Sequence, residues 1–135
     1  MDSLIKKKGY KIIKNIVPKY LLEDHIYTLA LRFSEITNIK LKDKPFKKRK
    51  LSKELSEHLI ELKNNKPELF GFLYDSIQSS VSLNKILTCE KMMNKLSEIS
   101  GIPKELYSTS GHITRIDVPK VKKNLYSWHQ ETSYY

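Results

Sequence analysis

Cysteine is nearly absent from this sequence, since Cys89 is its single example. One cysteine cannot form a disulfide within the chain, so a fold stapled by internal disulfides is excluded. The scarcity favours a reducing compartment, and a cytoplasmic protein is expected. Cys89 falls on a predicted apolar helix face with Ile86, Met93 and Leu96, which indicates a small buried hydrophobe rather than a nucleophile.

Glycine is scarce too, and long apolar runs are missing. The four glycines, Gly9, Gly71, Gly101 and Gly111, lie far apart. Neither the glycine-rich fingerprint of dinucleotide-binding folds nor that of the phosphate-binding P-loop can therefore be assembled. No apolar run approaches the ~18 residues that a membrane-spanning helix needs. The N-terminus has lysines but no apolar stretch of the kind that a secretory signal carries. We expect neither a membrane protein nor a secreted one.

Arginine is the third scarce residue, although the chain is strongly basic. The formal net charge is +10, but only three of the 25 basic residues are arginines, namely Arg32, Arg49 and Arg115. A charge of this size favours an anionic partner such as nucleic acid. Surfaces that clamp phosphate or read bases favour arginine, because its guanidinium donates in a planar fork. The lysine excess therefore argues against nucleic acid as the partner.

What is present is the composition of one soluble domain spanning 1–135, with 39% hydrophobic and 30% charged residues. β-branched residues predict a strand at 9–17, after which Pro18 suits the first turn of a helix. Apolar residues at near-helical spacing predict four helices. These helices are expected at about 18–36, 53–64, 67–79 and 82–99. Ser52 is the expected N-cap of the second helix, and Gly101 follows the fourth.

The chain changes character after Pro103. "TSGHITRIDVPK" at 109–120 alternates in strand fashion, so that Arg115 and Asp117 share one face. "LYSWHQETSYY" at 125–135 can form a second strand. The expected plan is a strand plus helices over 9–104, followed by strands over 109–135. Such strands leave unpaired edges, and the sequence supplies no further strand to cover them.

The run "KLKDKPFKKRKLSK" at 40–53 holds eight basic residues against one acid, Asp43. With a proline in its middle, this composition predicts a loop. Two interpretations stay open for it. One is a solvated lysine-rich loop, and the other is an anion-binding loop that serves a phosphorylated substrate.

His129 and Glu131 form the best candidate metal site. In a strand, residues two apart point to the same face, so an imidazole nitrogen and a carboxylate oxygen can grip one ion. This is two-thirds of the two-histidine, one-carboxylate set that binds non-haem Fe(II). Spacing alone is weak support, since a histidine two residues before an acid often occurs by chance.

The residues around this pair resemble the phytanoyl-CoA dioxygenase family of Fe(II)- and 2-oxoglutarate-dependent oxygenases. The resemblance rests on "TRIDVP" followed by "LYSWHQETSYY", and more loosely on "GYKIIKNIVPKYLLEDHIYTLA" at the N-terminus. It implies His129 and Glu131 as Fe(II) ligands. It also implies that Arg115 and Asp117 face the 2-oxoglutarate or the substrate. Trp128 and Gln130 would point to the opposite face.

The family pattern also exposes two departures. Glu131 stands where aspartate is more usual, so weaker or altered iron binding is expected. The family's distal histidine and the arginine that clamps 2-oxoglutarate would lie further downstream, so a fragment of a longer gene is expected. His25 and His58 fall on predicted helices, and His112 lies just before the core of the predicted strand that carries Arg115. All three are expected to be surface or core-edge residues.

The resemblance sets the expected fold and function. The fold is α+β, with an N-terminal strand and a helical block leading into the first strands of an incomplete double-stranded β-helix, a cupin-like jelly roll. The function is hydroxylation of a small-molecule substrate, with the chain alone inactive. The alternative is a non-enzymatic basic helical module that binds nucleic acid or an acidic partner through 40–53.

Overall fold

The computed structural model describes Lys7, Tyr10 and residues 12–47, 50–108 and 114–117. Within these residues the chain is mostly helical. The helices are α1 (Lys19–Thr37), α2 (Lys53–Asn65), α3 (Pro67–Gln78), α4 (Val81–Leu87) and α5 (Glu90–Ser100), followed by a 3-10 turn at Lys104–Leu106. A hairpin of β1 (Phe46–Lys47) and β2 (Lys50–Leu51) lies between α1 and α2. None of these described helices is long and apolar enough to cross a membrane.

The ends of the first three helices follow from local chemistry. The Ser52 hydroxyl accepts the Leu55 N–H at 3.1 Å, which satisfies one of the free donors at the start of α2. Pro67 occupies the first turn of α3, where its missing N–H costs nothing. Asn38 ends α1 in the left-handed conformation, with φ at 59°. The predictions for α1, α2 and α3, including the Ser52 cap, are confirmed.

The core lies where α1, α2 and α3 meet. Phe33, Leu55, Leu73 and Ile77 are the largest side chains with almost no exposed surface. α1 packs against α3 and α4, while α2 packs against α3. Apolar residues of all three helices join one buried cluster, and burial of these apolar stripes supplies the main stabilisation of the fold.

The prediction of one helix at 82–99 is wrong, because two helices occupy this stretch. The backbone is extended at Cys89, which is the N-cap of α5. Just before it, the Thr88 hydroxyl donates to the Asn84 carbonyl at 2.8 Å. No proline or glycine marks this break, so apolar periodicity runs through it unnoticed. Cys89 is half-buried, and Gly101 ends α5 in the left-handed conformation, as expected.

The α+β fold with a jelly roll is also wrong, since the described chain is mostly helical. Residues 12–17 of the predicted first strand are irregular, and Ile12 is 77% exposed. Residues 114–117 belong to the strand predicted at 109–120, but they are not paired with any described strand. The 46–51 hairpin is the one sheet within the described ranges. β-branched residues favour a strand only where a neighbouring strand and a buried face exist. The rest of 109–135 lies outside the described residues.

Candidate functional site

The segment 114–117 is attached to the helices by the side chain of Gln78, the last residue of α3. The Thr114 N–H donates to Gln78 Oε1 at 2.8 Å. In return, Gln78 Nε2 donates to the Thr114 carbonyl oxygen at 2.8 Å. The amide thus pairs with both polar backbone groups of one residue, as a neighbouring strand would.

A buried histidine completes this attachment. His25, on α1, is only 7% exposed. Its Nδ1 lies 3.0 Å from the Ser82 hydroxyl on α4. Its Nε2 lies 3.2 Å from the Thr114 hydroxyl. Both ring nitrogens are therefore occupied, and burial lowers the pKa of His25 below its usual value.

Side chains in 114–117 alternate between the core and solvent. Ile116 packs against the hydrophobic core and Thr114 is half-buried. Arg115 and Asp117 are exposed, and their guanidinium and carboxylate groups form an ion pair at 2.7 Å. The structure thus places the two predicted cofactor-binding residues side by side on the outer face. Arg115 already holds a carboxylate there, which is the kind of group that an acidic co-substrate would present.

The predicted iron ligands, His129 and Glu131, lie outside the described residues, as do Trp128, Gln130 and His112. Across 12–47, 50–108 and 114–117, no group of three histidine, cysteine or acidic side chains could hold a metal ion. His25 has both nitrogens engaged. His58 stacks on Phe33 with ring centroids 5.6 Å apart. Neither histidine is placed as a third iron ligand in this part of the chain.

The close approach of His25 to Ser82 has the form of a base beside a nucleophile. However, both side chains are buried, with Ser82 only 9% exposed. Ser82 also lies 3.2 Å from the Ser80 hydroxyl, the N-cap of α4. A nucleophile needs an open path to its substrate. We therefore assign this pair to the attachment of 114–117.

The described part of the basic run is ordered by Glu54, in the first turn of α2. The Glu54 carboxylate accepts the backbone N–H groups of Lys42 and Asp43 at 2.7–3.0 Å. These hydrogen bonds lower the pKa of the Glu54 carboxyl, the bond from Lys42 being the larger cause. The Ser52 N–H donates to the Pro45 carbonyl at 2.8 Å and closes the base of the hairpin. The sequence predicted a loop in this run, but it did not predict the short hairpin of β1 and β2.

A small cleft lies beside the end of α1. Its volume is about 120 Å³, and its walls include Thr37, His58, Glu61 and Lys66. Sites for drug-sized ligands usually measure roughly 300–1,000 Å³, so this cleft is too small for one. A wider depression of about 510 Å³ lies at the turn between α2 and α3, against the exposed Phe72. Neither space is lined by a predicted site residue.

The attachment of 114–117 uses residues that the sequence did not single out. Leu21, His25 and Leu29 follow one another at intervals of four on α1, so the burial of His25 had a signal in the helical period. No sequence signal predicted the contact of Gln78 with Thr114, because a glutamine at the end of a helix is usually solvated.

Comparison with family models, with characterised proteins and with solved structures gives no match. The resemblance to the phytanoyl-CoA dioxygenase family therefore stays a prediction.

Proposed function

We propose that this chain contributes part of the iron and 2-oxoglutarate site of a dioxygenase that hydroxylates a small molecule. His129 and Glu131 bind Fe(II), and Arg115 holds a carboxylate of the co-substrate or substrate. The observation that carries the proposal is the order of the two motifs, "TRIDVP" and then "LYSWHQETSYY". Bound iron would supply the activation of oxygen that is needed to attack an unactivated C–H bond.

The chemistry of the donor set supports this assignment. A neutral imidazole and a carboxylate are the ligand types of non-haem Fe(II) sites. Among the described residues, Arg115 is exposed and already binds the carboxylate of Asp117. A carboxylate of 2-oxoglutarate has the same chemistry and can compete with Asp117 for the guanidinium. The third protein ligand is not among the described histidines.

Metal titration of the purified chain tests the assignment. We expect weak Fe(II) binding by calorimetry under anaerobic conditions, with a loss of affinity on His129→Ala and on Glu131→Ala. The matched control is His58→Ala, since His58 Nδ1 lies 3.6 Å from Glu61 Oε2 and so forms a histidine–acid pair in the described part of the chain. Binding that survives His129→Ala, or that is lost on His58→Ala, would refute the assignment.

Turnover gives a second and independent reading. Because only two ligands of the expected set are present in this sequence, we expect no conversion of 2-oxoglutarate to succinate by these 135 residues alone. The measurement is succinate formation with Fe(II), 2-oxoglutarate and oxygen. Succinate formed by the chain, and lost on His129→Ala, would show that two ligands suffice and would overturn the expectation of inactivity.

The basic run supports a second candidate, a helical module that binds nucleic acid or an acidic partner. The five lysines of this run whose burial is described are all exposed, and among the described ion pairs only Lys53 has a carboxylate partner, Glu57. These lysines are Lys40, Lys42, Lys44, Lys50 and Lys53. The Glu54 hydrogen bonds fix the backbone between them, so their charges are presented from an ordered surface. Exposed positive charges without partners favour anions.

Binding of single-stranded RNA, followed by fluorescence anisotropy, tests this candidate. We expect affinity to fall as salt rises, because bound phosphates release counterions. The triple variant Lys42→Gln, Lys44→Gln, Lys50→Gln should weaken binding. A control variant removes the same charge elsewhere, with Gln at Lys19, Lys66 and Lys85. Equal loss in both variants would reduce the effect to net charge and remove 40–53 as the site.

A further inference from the structure

Two helices contact one residue of the segment 114–117, and a third helix supports the histidine that makes one of these contacts. Gln78 from α3 pairs with the backbone of Thr114 at 2.8 Å in both directions. His25 from α1 lies 3.2 Å from the Thr114 hydroxyl. Ser82 from α4 holds the other side of the imidazole at 3.0 Å. These contacts and the packing of Ile116 against the core join this segment to the helices.

The surroundings of His25 are neutral. Ser82 and Thr114 face its two nitrogens, and Gln78 lies beside them on Thr114. The charged residues next to Thr114 in the described segment, Arg115 and Asp117, are exposed and pair with each other. Burial lowers the pKa of His25, and among the described residues no carboxylate opposes this effect. Within that part of the chain, a proton on this imidazole would be a buried charge without a counter-charge.

We propose that His25, Gln78, Ser82 and Thr114 form a pH-sensitive latch, which holds residues 114–117 on the helices at neutral pH and releases them in acid. The latch is a property of the described fold and does not depend on iron binding at His129 and Glu131. It does bear on the proposed site, because Arg115 and Asp117 belong to the segment that it holds.

The direction of the pH effect follows from the burial of the imidazole. With the latch closed, His25 is held neutral; with the segment released, water reaches the imidazole and its ordinary pKa of 6.5 returns. The released state therefore binds the proton more readily. The free energy that favours the closed state is fully present above pH 6.5, and it decreases as the pH falls below that value. The hydroxyls of Ser82 and Thr114 can accept from a protonated ring, but they cannot neutralise its charge.

Amide hydrogen exchange of residues 114–117, expressed as protection relative to the unstructured rate, measures the latch. We expect protection at about pH 5.5 to be up to about tenfold lower than at about pH 7.5, because one proton is taken up on release. His25→Gln keeps hydrogen-bonding capacity but cannot titrate, so it should remove most of this difference. His58→Gln, the control on α2, should leave the difference unchanged.

A second variant covers the case in which His25→Gln does not fold. Thr114→Val keeps the shape of the side chain and the backbone bonds to Gln78, but it removes the hydroxyl that meets His25 Nε2. We expect lower protection of 114–117 at neutral pH and a smaller further loss in acid. Equal protection of the wild-type segment at both pH values would overturn the latch. An undiminished acid loss in His25→Gln or in Thr114→Val would also overturn it.

Discussion

The segments 42–43 and 114–117 are both irregular chain held by side chains of the helices, but the chemistry that holds them differs. In each case one side chain at the end of a helix binds the backbone of the segment. Glu54, at the start of α2, accepts from Lys42 and Asp43 at the surface. Gln78, at the end of α3, pairs with Thr114 in a half-buried place beside His25.

The attachment of 42–43 by Glu54 is ionic, whereas the attachment of 114–117 by Gln78 and His25 is neutral. Glu54 is a charged acceptor in contact with water, so its attachment is screened and is strongest while the carboxyl is ionised. Gln78 is uncharged and half-buried, and His25 is buried, so their attachment is less sensitive to salt and depends on the absence of charge. The attachment at Glu54 therefore responds to salt and to protonation of a carboxylate, whereas the attachment at Gln78 and His25 responds to protonation of an imidazole.

Both attachments depend on the same core. Leu55, next to Glu54, and Ile77, next to Gln78, have no exposed surface. Burial of these neighbours fixes the direction in which each binding side chain leaves its helix. Changes in the core should consequently disturb both segments, while changes in one binding side chain should disturb one segment only.

The largest effect is expected from Ile77→Ala. Removal of buried methylene groups from a packed core costs about 2–5 kcal/mol of unfolding free energy. Denaturant unfolding followed by circular dichroism measures the change. Leu31→Ala, at a position that is 62% exposed on α1, is the control and should stay within about 0.5 kcal/mol of the wild type. A small effect of Ile77→Ala would mean that the described core is not the stabilising one.

A smaller and more local effect is expected from Gln78→Ala. This change leaves the N–H and carbonyl groups of Thr114 without their partners, at a cost of about 1–3 kcal/mol. Amide exchange should accelerate at 114–117 and stay unchanged at Lys42 and Asp43. Ser79→Ala, at the exposed next residue, is the control. Faster exchange in both segments would show that Gln78 supports the whole fold and not one segment.

The smallest effect is expected from Glu54→Gln, and it is best seen in an acid titration. The lowered pKa of Glu54 means that its attachment is complete above the ordinary value of 4.5 and is lost as the pH falls below it. The lowered pKa of His25 places the corresponding loss below 6.5. Exchange should therefore accelerate first at 114–117 and later at Lys42 and Asp43. Glu54→Gln should abolish the second step alone, and a reversed order would contradict the assignment of the two groups.

Local signals predicted much of the helical part. The apolar stripes gave α1, α2 and α3 to within one or two residues, and Ser52 and Pro67 marked two of their starts. These signals are reliable because a cap or a proline acts on its own backbone within one turn. The break at Cys89 was missed, since Thr88 interrupts the helix without a proline or a glycine.

Strands were predicted less well, for a physical reason. Ile12, Ile13, Ile16 and Val17 have the β-branched side chains of a strand, but a strand is stable only with a partner beside it. Across 12–17 the described chain provides none. In 114–117, the expected alternation of side chains is present, although the amide of Gln78 stands where a neighbouring strand was expected. The predicted iron ligands His129 and Glu131 stay predictions.

The sequence by itself determined α1, α2 and α3, the Ser52 cap, the basic run at 40–53 and the sharing of one face by Arg115 and Asp117. These features depend on residues near one another in the chain. Only the tertiary structure decided that His25 is buried between Ser82 and Thr114, and that Gln78 binds the backbone 36 residues further on. Such contacts arise where separate elements pack together, so their partners are chosen by the packing of α1, α3 and α4 and not by any local pattern.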